Sequence, residues 1–412
     1  MSHGAKPVLT EIGPFTYRLH VKRFDIVFND NDTVSYREKK TWFFEPSLSV
    51  DSEDAKIVTL NAPLVMAFTY VQQFSYSLQK VLMYALKHTT EKLFIERKVK
   101  ELTFDGYDDT LVAIASVVNS QFAQQKGKFS FFGTLNDTDD GVLTVHTGKN
   151  IHLLSIIDRY NGQKSLRIWS GEECNRLNDS ASGQFPPPIL EKRERVKLFI
   201  PRNCRPFVFD FNSIFTTKDN LRALKYVLNK NTLSNSSDYP PNICFGSDLP
   251  KKSNQTKSSF FDIFSNLKQE KQTLSFPFGV IDISKCLFGA PILISLPHFL
   301  HADSFYFDNI DGLSPNVSIH DLWLAIQPLT GGTIDMAFRS QVNIHISVPN
   351  ELSHYKNAPQ IVFPIFWQEI KSNFILKFFQ QFFIKSDLPE TEVNANIILN
   401  EFDKKEEKME AE

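Results

Sequence analysis

The chain has 412 residues, 42% of them hydrophobic, and a formal net charge of −2. That length suits two modest domains or one large strand-rich unit, and the apolar share is enough to fill a sizeable core. Interspersed charges give no footprint for nucleic acid, no run of 18 apolar residues predicts a membrane helix, and the opening MSHGAKPVLTEIG has no apolar leader core.

Residues 9–50 are predicted to be strands. GPFTYRLHVKRFDIVF alternates, with Gly13-Pro14 as a turn before it; NDNDT at 29–33 is a hairpin tip, and TVSYREKKTWFFEP is the second arm. From Asn61 to His88 the period lengthens to that of a helix. Phe68, Val71, Phe74, Leu78, Val81, Leu82 and Ala85 share one stripe. Asn61 can cap its first turn, where Pro63 is tolerated. Lys80, Lys87, His88 and Lys92 cluster toward its C-terminal end. The plainer reading is a helix end complementing its own dipole; the sharper one is a basic rim that receives anionic ligands.

A short helix is expected over 107–122. Strands resume at Lys128–Phe131, VLTVHTG and IHLLSIIDRYNG, where Asn161-Gly162 marks a hairpin. NDSASGQFPPP excludes helix and central strand. VKLFIPRNCRPFVFDF reads as two strands joined irregularly at Pro201 and Pro206. Residues 231–259 are polar and loop-like, and an amphipathic helix over 259–272 presents Phe260, Ile263, Phe264 and Leu267. The architectural centre is Phe278–Asp303, two strands broken at Gly289, Ala290 and Pro291, the second ending at Pro297. Two or three strands follow before Pro364–Trp367. FILKFFQQFFI at 374–384 is too short to span a bilayer, and DKKEEKMEAE is a solvated tail.

The sequence holds no nucleophile elbow, no paired-histidine zinc motif and no phosphate loop. His298 and His301 form an HxxH, but on a strand end they point apart; Asp303, Asp308 and Asp311 lack a calcium-loop pattern. No enzyme activity, cofactor or metal is therefore expected. The 38 phenylalanines fill a large core or line an apolar cavity, the core being the plainer reading. Cys174, Cys204, Cys244 and Cys286 show no CxxC spacing, so they are buried thiols or two disulfides. Sequons stand at Asn31, Asn136, Asn178, Asn235, Asn254 and Asn316, little above what composition gives by chance.

Several phrases resemble one family. EIGPFTYR at 11–18, FEPSLSV at 44–50, IDISKC followed by GAP and ISLPHFL, IDGLSPN at 310–316, and Pro364–Trp367 are similar to the ectodomain of the class B scavenger receptors. That family includes fatty-acid translocase, the lysosomal integral membrane receptor and the insect sensory neuron membrane proteins. The resemblance spans residues 10 to about 368. It implies an α+β, β-rich fold: a large antiparallel β-barrel with an apical helical bundle and an internal apolar tunnel. It implies one ectodomain over 1–368 and a divergent tail over 369–412. It also implies a strand and a membrane helix upstream of Val8 and a second membrane helix after the ectodomain, so the chain is expected to be incomplete.

The resemblance selects the pairings Cys174–Cys244 and Cys204–Cys286, closing loops of about 70 and about 82 residues, each bridge stabilising by roughly 4 kcal/mol. Family members commonly carry a further cysteine pair where this chain has Phe245 and Gly246; the 259–272 helix is expected to cover that edge instead. The implied function is binding and transfer of lipids (fatty acids, sterols, lipoprotein lipids) through the tunnel at a membrane. A family lysine involved in fatty-acid binding aligns with His88, beside Lys87. The alternative is a lumenal trafficking receptor that holds a protein partner on the same helices. Either way the ectodomain is expected outside the cytosol, at the plasma membrane or in endosomes and lysosomes, with its sequons glycosylated.

Overall fold

The computed structural model describes residues 6–400 apart from 72–75, 119–125, 184–185, 190–193, 217–220, 236–237, 246–275, 288, 350, 353–354, 356–357, 359 and 372–390. The expected helix over 259–272, the segment 374–384, the acidic tail and Asn254 lie outside the described residues.

The chain opens with a long hairpin, β1 (Leu9–Asn29) and β2 (Thr33–Phe44), paired from Tyr17↔Phe44 down to Asn29↔Thr33. Its tip is where NDNDT predicted it. Gly13-Pro14 is not a turn: it sits inside β1, where the register shifts between Ile12 and Phe15. A bulge lets the strand pass a residue that has no N–H to donate.

β3 (Lys56–Leu60) and β4 (Phe94–Lys98) pair and bracket two helices, α1 (Ala62–Val71) and α2 (Tyr76–Lys87). β5 (Tyr107–Asp108) and β6 (Lys128–Phe129) likewise bracket α3 (Thr110–Val118). The expected helix over 61–88 is described as α1 and α2, with 72–75 outside the described residues, and only part of its stripe faces inward. Phe68 and Val71 are buried, but Val81 is 64% exposed and Ala85 is exposed too. α2 turns Leu82, Met83 and Leu86 inward instead. Leu82 and Leu86 thus share the inward face with Phe68, and the expected stripe had drifted off it by Val81 and Ala85.

Then come β7 (Thr138–Asp139), β8 (Leu143–His146) and β9 (Ile157–Tyr160). β9 turns at Asn161 and Gly162, with φ of 50° and 76°, the left-handed pair of a two-residue hairpin. A single helical turn, α4 (Glu172–Asn175), precedes β10 (Arg195–Ile200), β11 (Arg205–Thr216) and β12 (Arg222–Leu228). The Phe278–Asp303 stretch forms β13 (Val280–Asp282) and β14 (Ile292–Ser295), paired Val280↔Ser295 as expected. α5 (Val317–His320), β15 (Trp323–Ile326), β16 (Thr333–His345), β17 (Val362–Lys371) and β18 (Thr391–Asn400) complete the chain.

Fourteen of these strands form one antiparallel sheet, ordered β10-β11-β12-β15-β16-β17-β18-β1-β2-β8-β9, with β7, β13 and β14 off this path. Part of the stretch expected to be a divergent tail thus supplies β18, inserted between β17 and β1. Among the described residues a closed barrel is not found, and the outer strands β9 and β10 share no ladder; isolated bridges at Ala181, to Ile156 and to Leu198, lie between them.

The fold is mixed α+β and strand-rich. The tunnel implied by the resemblance is not shown among the described residues. A cavity bounded by Thr59, Leu102, Thr103, Phe131, Phe132, Ile365 and Phe366 holds about 10 Å³, room for at most one water. Aromatic rings fill the space around it. Phe131 and Phe132 meet Phe366 at 5.2 and 5.1 Å, Phe132 meets Phe104 at 5.7 Å, and Phe104 meets Tyr17 at 4.9 Å. In this region the phenylalanines pack against one another as a core does.

Two disulfides tie distant segments together. Cys174 joins Cys244, and Cys204 joins Cys286, with Cα separations of 5.8 and 5.9 Å. Trp169 donates its indole N–H to the Cys204 carbonyl at 2.6 Å, so the two bridges share one buried neighbourhood.

Candidate functional site

Helix α1 is seated by its cap. The Asn61 Oδ1 accepts the Leu64 N–H at 3.2 Å, as predicted, and its amide donates to the Lys92 carbonyl at 3.1 Å. That second bond fixes the loop carrying Lys92 beside the start of α1. Leu64, Val65 and Phe68 are fully buried, and Phe68 packs on Tyr355 at 5.3 Å. α3 starts from a cap that the 107–122 expectation overran: Asp109 Oδ1 accepts the N–H groups of Leu111 and Val112. Both α2 and α3 pack on α1.

With α1 fixed inward, the outer surface falls to α2 and α3. Val81, Tyr84, Ala85 and His88 follow at i, i+3, i+4 and i+7, and all are exposed, Tyr84 at 69%. The Tyr84 and His88 rings meet at 4.4 Å, tilted by 56°. Lys80 and Lys87 run along one side of the same stripe, and Lys92 is exposed in the loop beyond it. α3 adds Ile114 at 43% exposure and Val117 at 87%. Exposed single apolar residues are ordinary, but on α2 the exposed apolar stripe lies beside Lys80, Lys87 and His88, with Lys92 in the loop beyond. The arrangement can take an apolar body and hold a negative head. The sequence located the cations; it did not show that Val81 and Ala85 face out.

The structure separates the HxxH pair and gives His298 another companion. The His298 and His320 rings stack at 4.4 Å and 7°. The His298 Nε2 meets the Glu11 carboxylate at 2.8 Å, and its Nδ1 accepts the Ser314 N–H at 3.2 Å. The His320 Nδ1 accepts the Asn316 N–H at 3.0 Å. Burial, then the neighbouring His298, push the His320 imidazole down to about 4. Burial pushes the Glu11 carboxyl up, but the hydrogen bond from His298, with its other neighbours, outweighs burial and holds it below the usual range. Sequence reasoning missed this cluster because Glu11, His298 and His320 are far apart in the chain; the only signal was a histidine in each of two resembled phrases. Among the described residues no group of three acidic, histidine or cysteine side chains is placed to hold a metal.

The sequons differ in setting. Asn31, Asn178 and Asn316 are exposed, while Asn136 and Asn235 are half-buried and bonded to backbone, the former to Trp42 N–H and the latter to the Phe276 carbonyl. Among the described residues no helix is long and apolar enough to cross a membrane.

Comparison with known proteins agrees with this layout. The family model described as the CD36 family matches residues 1–397. The chain is 30% identical to mouse scavenger receptor class B member 1 over 370 residues, covering 89% of this chain and 66% of the relative. It is 29% identical to sensory neuron membrane protein 1 of Aedes aegypti over 384 residues, covering 89% and 66%. It is 28% identical to human lysosome membrane protein 2 over 372 residues, covering 88% and 70%. The chain thus spans slightly less than two thirds of the length of the scavenger receptors it matches. A family match through β18, with the sheet and both disulfides around it, shows that this chain belongs to the CD36 family.

Proposed function

We propose that the chain is a lipid-binding receptor ectodomain that receives anionic amphiphiles on the outer face of α2 and α3. The observation that carries this is the stripe Val81, Tyr84, Ala85 and His88 with Lys80 and Lys87 along one side of it, all exposed. An acyl chain or a lipid surface buries the apolar residues, and the lysines meet a carboxylate or phosphate. Membership of a family whose members include scavenger receptors supports the reading, and two disulfides suit an extracellular or lumenal compartment. Attachment to a membrane belongs to the same proposal. The change Ala85→Trp, which an inward Ala85 would make a plug, instead enlarges this outer face.

The test is flotation with phosphatidylcholine vesicles containing or lacking oleate and phosphatidylserine. The wild-type chain should float with the anionic vesicles. Lys87→Glu should weaken binding severalfold, since a cation at a lipid surface contributes about 1 kcal/mol. Val81→Ser with Tyr84→Ser should weaken it about tenfold or more. Equal flotation of wild type and variants would refute the reading. Failure to float, with capture of a lumenal protein lost in the same variants, would favour a trafficking receptor instead.

A further inference from the structure

His298 stands at a strained corner. Its φ is 52°, that of Phe299 is 53° and that of His301 is 62°, all in the left-handed region that bulky residues avoid. Such a corner persists only where its surroundings hold it. Here the His298 N–H donates to Gln341 Oε1 at 2.7 Å, and Gln341 donates to Asn343 at 2.9 Å and to Ser295 at 3.3 Å. The His298 ring is held by Glu11 from β1, by Ser314 from the following loop and by His320 from α5.

The same loop grips the start of β1. Leu9 N–H donates to the Asp311 carbonyl and Asp311 N–H to the Pro7 carbonyl, each at 2.9 Å. Gly312, at φ 91°, lets the backbones touch: a Cβ there would lie 2.1 Å from the Leu9 carbonyl oxygen. The histidine stack is thus the buried side-chain half of a clasp whose backbone half holds the first strand.

The His320 ring must be neutral for the clasp to close. Its Nδ1 accepts the Asn316 N–H, so the ring carries its proton on Nε2 and has no acceptor left. A further proton goes to Nδ1 and turns that contact into one donor facing another. The charged groups around the stack are few. Glu11 on β1 meets the His298 Nε2 at 2.8 Å. Arg339 on β16 opposes a proton on His320, though it is itself bound by Glu369 of β17, which also holds Lys371. Asp321, after α5, follows His320 in the chain.

We infer that the His298–His320 stack is an acid-released clasp that holds the start of β1 against residues 311–316 and lets go when the His320 ring is protonated. Release relaxes the 298–301 corner and frees the Leu9 and Asp311 N–H groups. The test is hydrogen exchange on the whole chain from pH 7.5 to pH 4, corrected for intrinsic rates. Protection at Leu9, Asp311, Ser314 and Asn316 should fall about tenfold or more on acidification, while the α1 amides keep theirs. His320→Phe preserves a stacked ring without a titrating group and should keep the clasp closed at low pH. Unchanged protection in the wild type would overturn the inference. So would equal loss in α1, which would mean general acid unfolding, or a wild-type response from His320→Phe.

Discussion

The disulfide-bearing strand region and the helical layer treat apolar side chains in opposite ways. Around the bridges, Leu177, Phe199 and Cys244 are buried within one cluster that covalent links close over separations of 70 and 82 residues. On the helices α1 packs inward, and α2 and α3 then present Val81, Tyr84, Ile114 and Val117 to solvent. The difference teaches where each region's apolar residues act. Inside the strand region they stabilise the fold; on the outer helices they contribute little to folding and are open to a ligand.

Breaking the covalent side should have the largest effect. Cys204→Ser with Cys286→Ser removes the longer closed loop and should cost roughly 4 kcal/mol, read from a urea midpoint. A loss below about 1 kcal/mol would erase the energetic contrast between the regions. Within α2 the contrast can be sharpened over two turns. Leu86→Ala should cost about 3 kcal/mol because the side chain is 3% exposed, and Val81→Ala should change stability by less than about 0.5 kcal/mol. Equal costs would mean that α2 is rotated from the orientation described.

Acid should also separate the regions. The His320 imidazole lies below its ordinary value in the fold, so the stability it contributes is fully present above about pH 6.5 and is lost as pH falls from there toward about 4. The expected loss is about 1 kcal/mol by about pH 5.5. His320→Phe should flatten that slope. The smallest effect is expected from Val117→Ser, which should leave the denaturation midpoint in place within about 0.5 kcal/mol.

Much of this was legible in sequence, for local reasons. Alternation in GPFTYRLHVKRFDIVF gave β1, Asn161-Gly162 gave the hairpin after β9, and Asn61 gave the cap of α1. Each of these is fixed by a few consecutive residues, because backbone periodicity and turn conformation are short-range properties. Shared phrases carried the family and, through it, the cysteine pairing.

Tertiary structure decided everything that depends on a distant neighbour. It set which face of α2 is buried, placed β18 between β17 and β1, and left β9 and β10 without a shared ladder among the described residues. It also brought Glu11, His298 and His320 into one buried contact. A sequence states which residues recur along an element. Which face points inward, which strand lies beside which, and which titratable groups meet are set by packing between segments that local periodicity does not relate.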